Sequence, residues 1–377
     1  MGLPGGFAEF VGNGAAIESL RAAIAVGRLP HSMIVAGGRG SGKYTLALML
    51  TMALECERQL RETTADGREL ASFCGECRNC VRIAESAELA AKVEEAVAAR
   101  EEMRETDKKD TRVLVQTHPD VLIVPPDPPQ LLIKLGQVRT LIGRAQRMPS
   151  EARAKVFIIT SAAFMKEAAN SLLKLLEEPP EYVHLMILAE NLGELLPTIR
   201  SRCAVVRLGA LPVEEIEALL AARGVGGNKT ERELVARLSE GAVGRALGFD
   251  LAEYSAARVD ALVLLRGAMQ MGDHSAQFKM TETYRSGAEG QVKTTSLLRA
   301  LASLLEDILL VQGGAGERVR NVDIRAELER FAESFDYAWI ETAVRGLDAV
   351  QSGLRRNLLR NVSLDAFAAE LEGVRSA

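Results

Sequence analysis

Short apolar runs alternate with helical patterns over the first 210 residues of the chain. Five runs have the length and composition of buried strands, at 32–36, 121–124, 155–159, 184–188 and 204–208. Helical spacing of apolar residues separates them, at 7–30, from Lys43 to about Cys56, at 137–148 and at 167–178. Strands that alternate with helices of this length are typical of a parallel sheet covered by helices on both faces. We therefore predict an α/β core for residues 1–210.

The strand pattern ends near Pro212. Three short helical segments follow, punctuated by glycines, at 213–223, 230–240 and 244–249. They predict a small helical unit over 211–252. Longer helical patterns then continue to the last residue and predict an all-α domain over 253–377.

Composition and charge narrow the class of protein. The 377 residues are 47% hydrophobic and 26% charged, with a formal net charge of −5, which is typical of a globular protein. This charge disfavours a protein that coats nucleic acid through overall positive charge, although it allows a local basic patch. No apolar run is long enough to span a membrane, and Met1–Gly6 lacks the basic start of a signal peptide. We expect a cytoplasmic protein without membrane contact.

A glycine-rich segment between the first strand and the next helix follows the phosphate-loop pattern G-x-x-x-x-G-K-[ST]. Gly37, Gly42 and Lys43 match it, but Tyr44 occupies the position of the hydroxyl that binds Mg²⁺. Thr45 lies one residue late, about 100° further around the helix. Bound ATP or ADP and a loop kept only for packing are equally open alternatives. The candidate nucleotide-binding residues are Gly37, Gly38, Gly40, Gly42, Lys43, Tyr44 and Thr45.

The strand at 155–159 lacks the acidic residue that P-loop ATPases use to hold Mg²⁺. Thr160 and Ser161 follow it, and no carboxylate is present there. This is a second defect in Mg²⁺ handling, independent of Tyr44. Together the two predict a chain that does not hydrolyse ATP.

Four of the five cysteines lie close together in the sequence. Cys74, Cys77 and Cys80 are each separated by two residues, and Cys56 precedes Cys74 with 17 residues between them. Four thiolates are the number that a closed, structural zinc site needs, so we predict a zinc module over 56–80. An iron–sulfur cluster and free thiols are the alternatives, although the bacterial ferredoxin spacing, with a fourth cysteine followed by proline, is absent.

Three charged features have two interpretations each. Arg200 and Arg202 precede the last strand, where a surface salt bridge is the simpler role and an arginine finger is the alternative. The acids Glu177 and Glu178 end a helix, which is unfavourable for its dipole; a specific contact is possible, but a solvated pair is the simpler expectation. The charge-rich segment 83–112 predicts a solvated helical insertion, with an interaction surface as the alternative.

Several motifs resemble those of bacterial clamp-loader subunits of the AAA+ family, most closely the delta-prime subunits of DNA polymerase III. The resemblance rests on Lys155–Met165, Ala168–Pro180, Leu195–Cys203, the His118-Pro119-Asp120 segment and the cysteine module. Motor subunits of that family carry an intact phosphate loop and an acidic strand end, whereas delta-prime subunits commonly lack them. The residues at Tyr44, Thr160 and Ser161 therefore favour a delta-prime-like chain.

The resemblance implies a role for each part of the chain. Residues 211–252 become a lid, in which Arg245 lies one position from the place of the family's nucleotide-sensing arginine. Residues 253–377 become a collar domain, and residues 354–361 resemble the end of that domain in the family. Arg202 becomes a finger that completes the ATP site of a neighbouring subunit. The implied partners are motor (gamma/tau) and delta subunits in a hetero-pentamer that loads the sliding clamp onto primed DNA, within the DNA-directed DNA polymerase holoenzyme. The alternative is an ATP-hydrolysing motor subunit or a related remodelling ATPase.

Overall fold

The structure is a computed structural model that describes residues 2–104, 107–108, 111–269, 275–285, 287–355 and 358–373. The chain divides into two compact units. The first unit contains residues 1–211 and 242–245, and the second contains 212–241 and 246–377. Among the described residues, no helix is long and apolar enough to cross a membrane.

The first unit is built on a six-stranded sheet. Its strands are β1 (Ser32–Ala36), β4 (Val115–His118), β5 (Val121–Val124), β6 (Lys155–Ile159), β7 (Val183–Ala189) and β8 (Ala204–Arg207), in the order β4-β5-β6-β7-β1-β8. The five predicted strands are all present and parallel. The prediction of a purely parallel sheet is wrong at one edge, because β4 pairs antiparallel with β5. Only Pro119 and Asp120 join these two strands, and so short a connection cannot make a parallel crossover.

Helices cover both faces of this sheet. They are α1 (Gly14–Ala25), α2 (Lys43–Glu55), α3 (Arg78–Ala84), α4 (Leu89–Glu101), α5 (Leu135–Ala145), α6 (Lys166–Glu177) and the short α7 (Pro197–Arg200). Alternate residues of β1 enter different cores: Met33 and Val35 pack with α1 and α2, whereas Ile34 and Ala36 pack with α5 and α6. Because both faces are buried, every residue of this strand is apolar or small, which explains its continuous run.

A hairpin lies between the first and second cysteines of the module, and no sequence pattern predicted it. Strands β2 (Leu60–Thr63) and β3 (Glu69–Ser72) pair antiparallel, and every residue of β2 is exposed. Arg21 of α1, which is buried, donates from Nε to the Ala71 carbonyl at 2.9 Å, pairs with Glu62 at 2.8 Å and lies 4.7 Å from the centre of the Phe7 ring. These contacts fix the hairpin to α1.

The charge-rich segment is helical over α4, and none of the residues of α4 is buried. Leu89 and Val93 pack at the margin of the first core. Arg100, near the end of the helix, donates to the buried carboxylate of Asp127 at 2.7 Å. Residues 105–106 and 109–110 of the predicted insertion lie outside the described residues.

The second unit is helical. Its helices are α8 (Val213–Ala222), α9 (Lys229–Leu238), α11 (Leu251–Met269), α12 (Ser275–Glu282), α13 (Gly287–Gln312), α14 (Arg325–Ser334), α15 (Tyr337–Arg355) and α16 (Arg360–Gly373); α10 (Val243–Leu247) begins in the first unit. Its core includes Trp339, whose ring stacks on that of Phe335 with the ring centroids 3.6 Å apart. The indole Nε1 of Trp339 donates to the Leu371 carbonyl at 2.7 Å. Two residues of the motif at 354–361, positions 356 and 357, lie outside the described residues.

Candidate functional site

The phosphate-loop segment lies at the carboxyl edge of the parallel sheet. Ala36 of β1 is in register with Ala189 of β7, and the Gly37 amide donates to the Ala189 carbonyl at 3.1 Å. Residues that follow β1, β6 and β7 therefore meet at one edge, which is where open α/β sheets place their ligands. The groups assembled there are the loop after β1, Thr160 and Ser161 after β6, and Glu190 after β7.

The loop closes on its own lysine. Lys43 Nζ donates to the Gly37 carbonyl at 2.6 Å and to the Gly38 carbonyl at 2.8 Å. Burial lowers the pKa of Lys43 below its ordinary value, although the negative charge of Glu190 acts in the opposite direction. The backbone N–H groups at the start of α2 suit an anion, but the lysine charge is directed to carbonyls of the loop itself.

Two glycines of the loop have backbones that other residues adopt with difficulty. Gly40 has φ +81° and Gly42, which caps α2, has φ +86°. The Gly40 carbonyl accepts from the Gly244 amide at 2.8 Å, and a Cβ on Gly40 would lie 2.8 Å from the Arg245 nitrogen. The tip of the loop is therefore packed against the start of α10, and the contact of Arg245 with the loop includes its backbone. Ser41 carries a buried hydroxyl that has no hydrogen-bond partner in the described parts of the chain.

Tyr44 is built into the fold. Its hydroxyl donates to the Ser86 carbonyl at 2.6 Å, and its ring packs at the margin of the core beneath α2. Burial raises the pKa of this hydroxyl well above its ordinary value. The side chain at the Mg²⁺-ligand position thus connects α2 to the segment after α3. Thr45, the next residue of α2, is half-buried.

The end of β6 has no acidic group. The Thr160 amide continues the sheet by donating to the Val124 carbonyl at 3.0 Å, and Ser161 Oγ accepts from the Ala163 amide at 3.1 Å. Glu190, which follows β7, is exposed, and its negative charge acts on Lys43. Of the parts that hold Mg²⁺ in P-loop ATPases, neither the hydroxyl nor the carboxylate is in place.

The four predicted cysteine ligands converge at the end of α2. The Sγ atoms of Cys56, Cys74, Cys77 and Cys80 all lie within 4.8 Å of one another, and none forms a disulfide. The distance from the Cys56 sulfur is 3.5 Å to that of Cys74 and 3.9 Å to that of Cys77. A tetrahedron with Zn–S bonds of about 2.3 Å has sulfurs about 3.8 Å apart, so the donor set fits a tetrahedral metal ion.

Backbone amides favour the thiolate at Cys74, whereas burial raises the pKa of the Cys56 and Cys80 thiols. The Cys74 amide donates to the Cys56 sulfur at 3.4 Å, and the Cys77 amide donates to the Cys74 sulfur at 3.3 Å. Burial raises the pKa of the Cys74 thiol, but hydrogen bonds from the Glu76 and Cys77 amides outweigh it and lower that pKa to about 6. The cluster is suited to metal binding by its sulfurs and by the groups that surround them.

A buried polar network, which the sequence did not reveal, connects the cysteine module to the sheet. Asn79 donates to the Glu55 carbonyl at 2.9 Å, and its amide oxygen contacts His118 Nε2 at 3.0 Å. The other ring nitrogen of His118 accepts from the Asp120 amide at 3.1 Å. The His118-Pro119-Asp120 segment therefore has a structural role between α3 and the sheet.

Asp120 is the centre of a second set of contacts. Its carboxylate accepts from the amides of Ser150, Glu151 and Ala152 at 2.8–3.0 Å and pairs with Lys155 at 3.6 Å. Although burial opposes ionisation, these amides hold the pKa of Asp120 below its ordinary value. In the sequence, the only signal of this contact is that the His118-Pro119-Asp120 segment is followed later by the Ser150-Glu151-Ala152 turn.

Arg202 lies just after α7 and contacts the end of α6. Its Nε donates to Glu177 Oε1 at 2.8 Å, and its Nη2 forms an ion pair with the same oxygen at 2.5 Å. Its Nη1 donates to the Thr198 carbonyl at 2.8 Å and to Ser201 Oγ at 3.4 Å. Glu177 therefore makes the specific contact that was the alternative while its side chain stays exposed, and the arginine compensates its charge at the helix end. Its neighbour Glu178 is exposed, as is Arg200. The side chain of Arg202 remains about one-third exposed, at 33%.

Comparisons with known proteins identify the family. A protein-family profile described as "DNA polymerase III, delta subunit" matches residues 12–212, more than half of the chain. The chain is 28% identical over 249 residues to the DNA polymerase III subunit tau of Escherichia coli. The matched region covers 65% of this chain and 32% of that protein.

Two further relatives come from other bacteria. Identity to the DNA polymerase III subunit gamma/tau of Mycobacterium tuberculosis is 32% over 219 residues, covering 58% of this chain and 31% of that protein. Identity to the DNA polymerase III subunit delta' of Bacillus subtilis is 30% over 191 residues, covering 50% and 45%. The chain thus spans about a third of the length of the tau and gamma/tau relatives it matches.

Proposed function

The chain belongs to the DNA polymerase III delta-subunit family of clamp-loader proteins, and from that premise we propose that it is a delta-prime-like subunit that does not hydrolyse ATP. The observation that carries this proposal is the chemistry of the sheet edge. The Tyr44 hydroxyl donates its hydrogen bond to the Ser86 carbonyl, and β6 is followed by Thr160 and Ser161 instead of by a residue with a carboxylate. A nucleotide held by the loop would lack both protein ligands to Mg²⁺. ATP or ADP bound there would be a structural ligand.

In this proposal the catalytic contribution is made in the active site of a neighbour. Arg202 follows the short helix α7, and part of its guanidinium is open to solvent. An arginine that reaches the γ-phosphate of an adjacent subunit stabilises the charge of the transition state and contributes 10³–10⁵ in rate at that site. Arg202 would act as this trans-acting finger.

The cysteine cluster completes the fold of the subunit. Its four sulfurs fit a closed tetrahedral site, which is the ligand set of structural zinc. Since all four positions are protein ligands, the ion would have a structural role. It would hold the β2–β3 hairpin and α3 to the end of α2.

The assignment as a delta-prime-like subunit also implies a role for each domain and a set of partners. The core of the first unit would be an AAA+ domain, residues 211–252 the lid and 253–377 the collar through which subunits assemble. The partners would be motor (gamma/tau) and delta subunits in a hetero-pentamer that places the sliding clamp on primed DNA. Arg245, whose backbone adjoins Gly40, would be the residue of the lid that senses a bound nucleotide.

A second candidate function is a motor subunit. It is favoured by the relatives that are named tau and gamma/tau, one of which is 32% identical to this chain. The two functions predict opposite results for the purified chain. A motor hydrolyses ATP in the presence of Mg²⁺, and the activity disappears in Lys43→Ala.

The test is therefore an ATPase assay of the purified chain beside Lys43→Ala, followed by co-purification with clamp-loader subunits. We expect no Mg²⁺-dependent hydrolysis above that of Lys43→Ala, and co-elution with motor and delta subunits in a fixed ratio. Hydrolysis that depends on Lys43 would overturn the delta-prime assignment. Failure to co-elute would overturn the clamp-loader role.

A further inference from the structure

Glu177 occupies a position that a carboxylate normally avoids. It is the last residue of α6, where the helix dipole places partial negative charge and Glu177 adds more of it. The unfavourable charge is offset by Arg202, which lies 25 residues later, donates from Nε to Glu177 Oε1 and forms an ion pair with it through Nη2. The position of Glu177 is thus electrostatically sound only with the arginine beside it.

The contacts of Arg202 divide its guanidinium into an occupied side and an available one. A guanidinium has five N–H donors in a rigid plane. Glu177 takes the side formed by Nε and Nη2, and Nη1 donates to the Thr198 carbonyl and, at 3.4 Å, to Ser201 Oγ. Nη2 carries a second N–H, which points along the terminal side of the plane and has no partner in the described parts of the chain.

We propose that Glu177 is a positioning residue for Arg202: it fixes the Nε side of the guanidinium so that the terminal side is presented to a phosphate of the adjacent subunit. This inference rests on the proposed function. Arginine loses considerable rotamer freedom when it is held in one orientation, and Glu177 and Thr198 meet this cost before the neighbour binds. Thr198 contributes only a backbone carbonyl and Ser201 only a long hydrogen bond of 3.4 Å, so Glu177 is the charged side chain through which the orientation can be tested.

The opposite role, a latch that hides the arginine, predicts the opposite rate change. A latch competes with the phosphate for Arg202, so its removal accelerates the reaction. A positioning residue supports the productive orientation, so its removal slows the reaction. A glutamine keeps the acceptor oxygen without the charge, and it therefore preserves positioning while it weakens a latch.

The experiment measures ATP hydrolysis coupled to clamp loading in a reconstituted clamp loader. The variants are Glu177→Ala and Glu177→Gln, with Glu178→Ala as the matched control and Arg202→Ala as the reference. We expect Glu177→Ala to lower kcat about threefold, the effect of freeing one flexible side chain, with an unchanged KM for ATP. Glu177→Gln restores most of the rate, and Glu178→Ala behaves as the wild type.

The outcomes separate the two proposals. If Arg202→Ala leaves kcat unchanged, the finger and with it the proposed function are wrong. If Arg202→Ala lowers kcat but Glu177→Ala does not, positioning by Glu177 is wrong and the finger stands. A rise in kcat for both Glu177 variants would identify a latch and overturn the inference. Thermal unfolding of each variant is measured alongside, and a fall in kcat that only tracks a lower Tm would equally overturn it.

Discussion

Removing one cysteine of the cluster should release the metal and destabilise the first unit. Cys77 is 6% exposed and precedes α3 as its N-cap, so Cys77→Ala removes a ligand that lies inside the fold. Burial raises the pKa of the Cys56 and Cys80 thiols, so without the metal these fully buried groups are neutral and the free energy of metal binding is lost from folding. A structural zinc site can contribute about 10 kcal/mol to folding in small peptides. We expect a loss of about 4 kcal/mol here, because the surrounding core survives.

Metal analysis and thermal unfolding test this expectation. At about 2–4 °C per kcal/mol for a unit of this size, Tm should fall by about 8–16 °C. Cys203→Ala is the matched control, because Cys203 packs with the other face of the sheet. It should keep one equivalent of zinc and lose about 1 kcal/mol. Zinc retained at one equivalent by Cys77→Ala with the wild-type Tm would refute the site, and iron in place of zinc would refute the choice of metal.

Three further predictions concern stability. His184 stacks on a second histidine, and burial lowers its pKa below the ordinary value, so the unfolded chain takes up its proton first as the pH falls below about 6.5. The free energy of unfolding falls by up to about 1.4 kcal/mol per pH unit until the lowered pKa is reached. Denaturant unfolding at pH 7 and at pH 5.5 should therefore show a smaller fall for His184→Gln than for the wild type. An identical fall in the two proteins would contradict this prediction. Tyr44→Phe should cost about 1 kcal/mol by calorimetry, because the Ser86 carbonyl loses its donor, and an unchanged Tm would show that this bond is dispensable. Asp120→Ala should cost about 3 kcal/mol in urea unfolding, because the amides of 150–152 lose their acceptor, and a loss below about 1 kcal/mol would contradict that role.

The central sheet could be predicted because both of its faces are covered. Burial of alternate residues in two different cores makes each strand a continuous apolar run, as in β1 and β6, and the helices between the strands carry their own period. The order of the strands and the antiparallel β4 could not be predicted. β4 reads Val-Gln-Thr-His, and its place at the edge depends on the two-residue connection to β5.

Prediction also failed where polar contacts decide the structure. The β2–β3 hairpin has one exposed strand and is fixed by Arg21, a residue that lies about 40–50 positions earlier in the chain. Hydrophobic periodicity carries no information about such a contact. The network around Asn79 and Asp120 is of the same kind, since its members are single polar residues that converge only in the folded chain.

The candidate site was partly legible in the sequence. The cysteines could be found because thiolate chemistry requires a close spacing, and the altered phosphate loop could be found because its pattern is local. What Tyr44 contacts, and the closure of the loop on Lys43, appear only in three dimensions. Glu177 carried a usable signal, an acid at the wrong end of a helix, but its partner lies 25 residues away.

The trans-acting role of Arg202 is tested by the effect of Arg202→Ala on ATP hydrolysis coupled to clamp loading by a reconstituted loader, with Arg200→Ala as the neighbouring control. We expect the Arg202 variant to assemble normally and its rate to fall by at least about tenfold, because the finger stabilises the transition state in the adjacent subunit. Arg200→Ala should retain the wild-type rate. An assembled Arg202→Ala complex with the wild-type rate would contradict the role of Arg202 as a trans-acting finger.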